Sequence, residues 1–157
     1  MLVVIILGSP SDSQIGQQIV KALEGFDIPA ETRVASAHKT PRYLLDLLEK
    51  YEADPQSKVY ITVAGRSNAL SGMVDAQVTA PVIACPPYSE RFGGGDVLSS
   101  LRVPSGVAPA VVLEPESAAL LAAKMLALTD ASLREKIRKA QEEQRQRLVV
   151  ADEQAVK

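Results

Sequence analysis

Short apolar runs alternate along the chain with longer segments in which apolar residues recur every three or four positions. The runs are typical of buried strands, and the longer segments are typical of helices that cover a sheet. Five runs predict strands, at residues 2–7, 30–35, 58–64, 81–85 and 108–113. Because strands and helices alternate, the pattern predicts βαβ units and an α/β fold with a parallel sheet.

Helical spacing recurs at residues 15–26, from Pro41 to about residue 51, at 69–77 and at 117–128. Pro41 suits the first position of a helix, because the N–H that proline lacks would have no partner there. The apolar stripes of these helices are predicted to face the core rather than a ligand. No repeat or linker interrupts the pattern, so residues 1–130 are predicted to form one domain.

The segment 131–157 differs from the rest of the chain. Leu133, Ile137 and Leu148 form only a thin apolar line on a predicted helix that is otherwise rich in Arg, Lys, Glu and Gln. A helix of this length has more surface than a small domain needs to cover. Two interpretations stay open: a solvated tail, or an arm that packs on a neighbouring subunit.

Composition excludes several classes of protein. With 157 residues, 46% of them hydrophobic and 23% charged, the chain is expected to be a single globular unit. A net charge of −2 leaves no basic surface for nucleic acid, so no nucleic-acid partner is predicted. The apolar run 2–7 is too short to cross a bilayer and lacks the flanks of a signal peptide. We therefore expect a cytoplasmic protein with no membrane partner.

Cys85 is the only cysteine of the chain, and His38 is the only histidine. No intrachain disulfide is possible, and no metal site built from Cys or His clusters is predicted. A reducing compartment fits this composition. Cys85 precedes two prolines and is interpreted as a small buried apolar residue, because the one histidine that would activate a thiol lies in another loop.

Polar residues follow four of the predicted strands at the point where each ends. These loops are residues 8–12, 36–40, 65–68 and 86–95. Since crossovers between parallel strands are right-handed, the loops emerge at one edge of the sheet, where open α/β sheets bind ligands. Hydroxyls, Lys39 and Arg66 would meet helix N-termini there, which is the chemistry of a phosphate pocket.

His38 lies between the second predicted strand and the helix that begins at Pro41. An imidazole, with an unperturbed pKa of roughly 6.5, takes and gives a proton near neutral pH, which suits it to proton transfer beside an anionic substrate. The alternative is a histidine that only satisfies local backbone groups.

The other loop residues also have structural interpretations. Serine and aspartate are typical helix caps, which is the structural interpretation of Ser9, Ser11 and Asp12. The structural interpretation of Arg66 is a surface ion pair. The glycines at 93–95 form either a mobile lid or a flexible connection. The first loop is neither a G-x-G-x-x-G nor a Walker A sequence, so dinucleotide and ATP binding are not favoured.

Three motifs, in order along the chain, together resemble the PurE family of de novo purine biosynthesis. They are Gly-Ser-Pro-Ser-Asp at 8–12, Ser-Ala-His-Lys-Thr at 36–40 and Ala-Gly-Arg-Ser-Asn-Ala-Leu-Ser-Gly-Met at 64–73, and the resemblance runs from Val3 to about Leu128. One branch of the family, the mutase, moves a carboxylate from the carbamate nitrogen of N5-carboxyaminoimidazole ribonucleotide to ring carbon C4. The other branch, aminoimidazole ribonucleotide (AIR) carboxylase, adds CO2 directly to C4.

Three features resemble the direct-CO2 branch, class II. Ala69 stands where the mutases have histidine, Lys39 stands where they usually have arginine, and the run 96–106 is similar to that of the carboxylases. The resemblance implies reversible carboxylation of AIR to 4-carboxy-5-aminoimidazole ribonucleotide (CAIR), with the mutase reaction as the alternative. It implies no ATP, biotin or metal, so no cofactor is expected.

The resemblance also implies a flavodoxin-like, three-layer α/β/α sandwich with a doubly wound five-stranded parallel sheet and an extended C-terminal helix. A homo-octamer is implied, in which the segment 131–157 would pack on a neighbouring subunit. His38 would be the catalytic proton carrier. The implied substrate-binding residues are Ser9, Ser36 and Lys39 for the 5′-phosphate, Asp12 for the ribose, and Arg66, Ser67 and Asn68 for the base and CO2.

A non-catalytic module of flavodoxin or receiver type is a more distant alternative. A receiver needs an aspartate after the third strand and a lysine after the fifth, but the chain has Ala64-Gly65 and Glu114-Pro115 there. A flavin site normally offers aromatic faces in its loops, whereas only 4% of the residues are aromatic and none is Trp. Both features speak against this class.

Overall fold

A computed structural model describes residues 1–156 of the chain, apart from the side chain of Arg91. Five strands form one parallel sheet in the order β2-β1-β3-β4-β5. This order is that of a flavodoxin-like, doubly wound sheet, so the predicted fold class is confirmed. The strands are β1 Leu2–Leu7, β2 Ala30–Val34, β3 Lys58–Val63, β4 Val82–Ala84 and β5 Ala110–Val111.

The helices follow the strands in alternation. Two short 3-10 segments, Pro10–Asp12 and Arg91–Val97, lie directly before the first and fourth α-helices. In the part of the chain that the structure describes, the α-helices are α1 Ser13–Glu24, α2 Pro41–Glu52, α3 Leu70–Asp75, α4 Leu98–Leu101, α5 Pro115–Leu126 and α6 Ala131–Ala155. None of them is long and apolar enough to cross a membrane.

Helices cover both faces of the sheet. On one face, Ile5 of β1 belongs to the same core cluster as Ile19 of α1 and Ala122 of α5. On the other face, Val4 of β1 packs with Leu44 of α2, and α3 joins the same cluster. Neighbouring residues of β1 therefore point into opposite layers, as the alternation of side chains along a strand requires. The result is the three-layer sandwich expected from the sequence.

The central strands match their predicted bounds more closely than the outer strands do. All positions of β1 and β3 are buried, which is why both appear in the sequence as continuous apolar runs. The strands predicted at 81–85 and 108–113 begin only after Pro81 and Pro109, because proline lacks the N–H that a ladder needs. The sequence pattern also missed α4 and the 3-10 segment before it.

The beginning of α6 belongs to the main core. Leu133 and Ile137 are 3% and 6% exposed and lie in the cluster that contains α1 and α5. In contrast, all residues from 142 to 156 are exposed. The sequence-based division at residue 130 thus does not coincide with the edge of the core, and we call residues 142–156 the distal arm.

Candidate active site

A cavity of about 660 Å³ opens at the carboxyl edge of the sheet. Its wall is built by the loops that follow β1, β2, β3 and β4, which the topology brings to one edge. Seven of the eight residues predicted for the site line it: Ser9, Asp12, Ser36, His38, Lys39, Arg66 and Ser67. The convergence of the loops, inferred from strand order alone, is present in the structure.

The first loop is organised by the hydroxyl of Ser9. This oxygen accepts hydrogen bonds from the backbone N–H of Ser11 at 3.3 Å and from the Ser11 hydroxyl at 2.8 Å. The carbonyl of Ser9 accepts from the N–H of Asp12 at 3.0 Å. Ser9 is therefore a helix cap, as one interpretation of the sequence held. Since its Oγ only accepts in these contacts, its own hydrogen is left for a ligand.

Gly8 allows the first and third loops to approach each other. Its N–H donates to the carbonyl of Val63 at 2.8 Å. A Cβ at this position would lie 3.1 Å from the Cβ of Ala64, closer than nearly all real contacts of this kind. A side chain here would require Ala64 to shift by a few tenths of an ångström, so the close approach of the loops that carry Asp12 and Arg66 favours glycine.

Asp12 and Arg66 are electrostatically linked across the cavity. Partial burial raises the pKa of the Asp12 carboxyl above its ordinary value, and the Ser9 backbone amide and the positive charge of Arg66 offset part of that rise. The carboxylate is thus less hydrated than one in open water. Such an oxygen is suited to accept hydrogen bonds from neutral hydroxyl groups.

The second loop, residues 36–40, is a turn whose first and last residues are hydrogen-bonded to each other. The N–H of Ser36 donates to Thr40 Oγ1 at 2.9 Å, and the N–H of Thr40 donates to the carbonyl of Ser36 at the same distance. In addition, Ser36 Oγ accepts from the N–H of Lys39 at 3.2 Å. These bonds use the backbone and leave the side chains of His38 and Lys39 exposed at the cavity wall.

The third loop contains a backbone conformation that favours glycine. Arg66 has a φ of +58°, in the left-handed region that costs a non-glycine residue on the order of 1 kcal/mol. Its carbonyl lies 2.8 Å from Ser99 Oγ, and that oxygen also accepts from the N–H of Asn68 at 2.9 Å. The loop is therefore tied to α4, and the guanidinium of Arg66 is displayed at the cavity.

Asn68 is the one predicted site residue that does not line the cavity. Its Oδ1 accepts from the backbone N–H groups of Leu70 at 3.0 Å and Ser71 at 3.3 Å, and so caps the start of α3. Its Nδ2 donates to Ser100 Oγ at 3.0 Å. The amide is occupied in joining α3 to α4, which places Asn68 behind the residues that face the cavity.

The fourth loop was predicted to reach the same edge of the sheet, but none of its residues was assigned to the site. Phe92, Gly93 and Gly94 all have positive φ values, between +52° and +79°. This reversal brings Asp96 to the cavity, which Pro87 and Ser89 of the same loop also line. A carboxylate after a glycine run has the same signature as a turn residue, so Asp96 was assigned no role in the site, although it begins the run 96–106 that resembles the carboxylases.

Cys85, at the end of β4, is buried and does not line the cavity. Burial raises the pKa of its thiol to about 12, and the nearby charges of Glu114 and Glu116 act in the same direction. The thiolate needed for nucleophilic chemistry is therefore scarce at neutral pH. The interpretation of Cys85 as a small apolar core residue is supported.

Comparison with known proteins identifies the family. A family model described as AIR carboxylase matches residues 2–147. The phosphoribosylaminoimidazole carboxylase of Archaeoglobus fulgidus is 53% identical over 98% of this chain and 84% of its own length, and that of Treponema denticola is 46% identical over 96% and 95%. The crystal structure of Treponema denticola PurE superposes with a TM-score of 0.96 at 46% identity, covering 98% of this chain and 97% of that one. The chain belongs to the AIR carboxylase (PurE) family.

Proposed function

We propose that this protein carboxylates AIR at ring carbon C4 with dissolved CO2, giving CAIR, as an enzyme of purine biosynthesis. Membership of the AIR carboxylase family and the names of the two relatives support this activity. The proposal rests mainly on one observation: the same cavity is lined by His38, Lys39, Arg66 and Asp12. A proton carrier, two cations and a carboxylate suit a phosphorylated sugar that bears a basic ring.

The substrate phosphate is assigned to the end of the cavity formed by the first two loops. The hydroxyls of Ser9 and Ser36 keep their hydrogens free to donate, and the ammonium of Lys39 supplies charge. Lys39 is a point charge without the forked geometry of arginine, so its contact with phosphate is less directional. Asp12 then accepts hydrogen bonds from the ribose hydroxyls.

The aminoimidazole ring is assigned to the region of Arg66 and Ser67, within reach of His38. Asn68 is proposed to position this loop through its contacts with α3 and α4 rather than to touch the substrate. Arg66 and Ser67 donate to the carboxylate that forms. The strained backbone of Arg66 is consistent with a side chain retained for function.

The reaction needs positioning and one proton carrier. The exocyclic nitrogen of AIR pushes electron density onto C4, which attacks the carbon of CO2 when both are held close. The new bond leaves C4 tetrahedral, and the displaced electron pair becomes a carboxylate that nearby donors stabilise. His38 then removes the C4 proton to restore the ring, and in reverse it protonates C4 before CO2 leaves. This scheme uses no ATP, biotin or metal.

The active form is proposed to be a homo-octamer in the cytoplasm. The distal arm supports an assembled state, because Leu148, Val149 and Val156 are 73%, 50% and 82% exposed. Leu148 and Val149 are adjacent, and contiguous exposed apolar surface is typical of contact sites, whereas single exposed side chains are not. We assign residues 1–130, with the first turns of α6, to the catalytic domain and the distal arm to contact with a neighbouring subunit.

A direct assay tests the proposed activity. Purified protein is given AIR with bicarbonate and no ATP, and CAIR is measured as it forms. A parallel reaction contains N5-carboxyaminoimidazole ribonucleotide in place of AIR and bicarbonate, and is read before that compound decomposes. We expect turnover of AIR only, because Ala69 lines the cavity where a mutase has histidine. Efficient use of the carbamate without AIR turnover would instead make this chain a mutase.

A further inference from the structure

Asp96 has a carboxylate oxygen to which no group in the described part of the chain donates a hydrogen bond. Its Oδ2 is buried and has no hydrogen-bond partner in the described part of the chain. A buried carboxylate oxygen without a donor is costly, and proteins rarely keep one without a reason. The same residue lines the cavity that contains His38. The missing donor is therefore expected to arrive with a ligand.

The position of Asp96 is fixed by the scaffold around it. Its carbonyl oxygen lies 2.8 Å from Ser99 Oγ, the hydroxyl that also contacts the carbonyl of Arg66 and the N–H of Asn68. One hydroxyl thus ties the third and fourth loops together. The backbone of Asp96 is consequently held beside the loop assigned to the base of the substrate.

The two carboxylates of the cavity differ in their surroundings. Asp12 lies on the first loop beside Ser9, where the phosphate and ribose are assigned, and its charge interacts with Arg66. Asp96 comes from the loop after β4, next to the third loop. An anionic phosphate would be repelled by a second carboxylate. Asp96 is therefore suited to contact the part of the substrate that is positively charged or donates hydrogen bonds.

We propose that Asp96 binds the exocyclic amino group of AIR. This inference rests on the proposed function, and it names a substrate contact for a residue that was not among the predicted site residues. When AIR binds, the carboxylate turns about its Cβ–Cγ bond toward the cavity, and the amino N–H then donates to Oδ2, which gives the buried oxygen its partner. When C4 attacks CO2, the amino nitrogen gives up electron density and becomes cationic, and the adjacent carboxylate stabilises that charge until His38 takes the C4 proton.

The test compares two ligands that differ only in the amino group. Affinities for AIR and for imidazole ribonucleotide, which lacks that group, are measured by calorimetry with the full chain. The parent is expected to prefer AIR. Asp96→Asn keeps the shape of the side chain but removes its charge, and Asp96→Ala removes the acceptor. Asp46→Asn, on the exposed side of α2, is the matched control and is expected to keep the parent's preference.

We expect the preference for AIR to fall about 10- to 100-fold in Asp96→Asn, the scale of a hydrogen bond to a charged group. Affinity for imidazole ribonucleotide should change little, and kcat for AIR should fall as well because the cation forms in the transition state. Equal weakening of both ligands, with an unchanged ratio, would overturn the inference and make Asp96 a structural residue. If the parent binds and turns over AIR and Asp96→Asn keeps the parent's preference for AIR, only this inference is overturned. A parent that does not turn over AIR overturns the proposed function and this assignment together.

Discussion

Replacement of Lys39 by alanine isolates one charge of the proposed phosphate pocket. The turn around Lys39 is held by its backbone N–H, which donates to Ser36 Oγ, and by the bonds between Ser36 and Thr40. None of these bonds uses the lysine side chain. In the described part of the chain, the Lys39 ammonium forms no ion pair. Lys39→Ala should therefore remove the charge without changing the turn.

The size of the effect follows from the type of contact that is lost. A hydrogen bond to a charged group contributes about 1.5–3 kcal/mol, which corresponds to roughly 10- to 150-fold in affinity. Because Lys39 is exposed, solvent and salt screen its charge, and we expect the lower part of this range near 0.15 M salt. Ser9→Ala removes a neutral donor and should cost less than Lys39→Ala.

Calorimetric titration with AIR at two salt concentrations measures this effect. The loss in Lys39→Ala should shrink at high salt and should be absent when the ligand is the nucleoside without its phosphate. Lys50→Ala, in the last turn of α2, is the matched control and should bind as the parent does. If folded Lys39→Ala and Ser9→Ala both bind AIR as tightly as the parent, these loops do not hold the phosphate.

Three further predictions concern the scaffold. Burial alone would raise the pKa of Glu52, but hydrogen bonds from Thr79 and Tyr60 outweigh it and hold the pKa below the ordinary 4.5. Glu52→Gln should therefore lower the free energy of unfolding by about 1–3 kcal/mol above pH 4.5. Denaturant titrations should show this difference shrinking as the pH falls below 4.5. A loss of stability that does not depend on pH would contradict the expected direction. Cys85, with its pKa raised to about 12, should resist maleimide at pH 8 until the protein is unfolded, and rapid labelling of the folded chain would show that the thiol is accessible. A chain that ends at Gln141 should keep its circular dichroism and its cooperative unfolding but sediment as a smaller species, and unchanged sedimentation would make the distal arm a solvated tail.

The sequence predicted the central strands better than the edges of the sheet. β1 and β3 are buried on both faces, so burial imposes a continuous apolar run that any reading of hydrophobicity detects. β5 spans only Ala110–Val111, although the next residue, Val112, still donates its N–H to the carbonyl of Ala84 at 2.9 Å. An apolar run in the sequence indicates burial, whereas a strand is defined by its backbone hydrogen bonds. The limits of β4 and β5 therefore could not be predicted from the apolar pattern.

The distal part of the chain shows a similar limit. Leu133 and Ile137 appeared as a thin line on a polar helix, and the structure buries both in the main core. The sequence could not distinguish two turns that pack on the chain's own domain from two that pack on another subunit, because both require the same apolar spacing. For the distal arm, the solvated tail and the contact with a neighbouring subunit stay predictions.

The site was predictable where chemistry and topology agreed. His38, Lys39 and Arg66 were placed together because strand order sends their loops to one edge. Asn68 does not line the cavity, and the sequence could not show this because an asparagine that caps a helix and one that binds a ligand have the same signature. Asp96 was not predicted because the loop before it follows a left-handed path at Phe92, Gly93 and Gly94, and the glycines alone do not show where that path leads.

The most direct test of the central claim is the initial rate of CAIR formation by His38→Asn beside the parent. Asparagine keeps a polar side chain but cannot exchange a proton near neutral pH, and the chain has no second histidine to replace it. We expect AIR to bind with near-parent affinity while the rate from AIR and CO2 falls by about 100- to 10,000-fold, in parallel with decarboxylation of CAIR. A folded His38→Asn variant that still carboxylates AIR at close to the parent rate would contradict the assignment of His38 as the proton carrier.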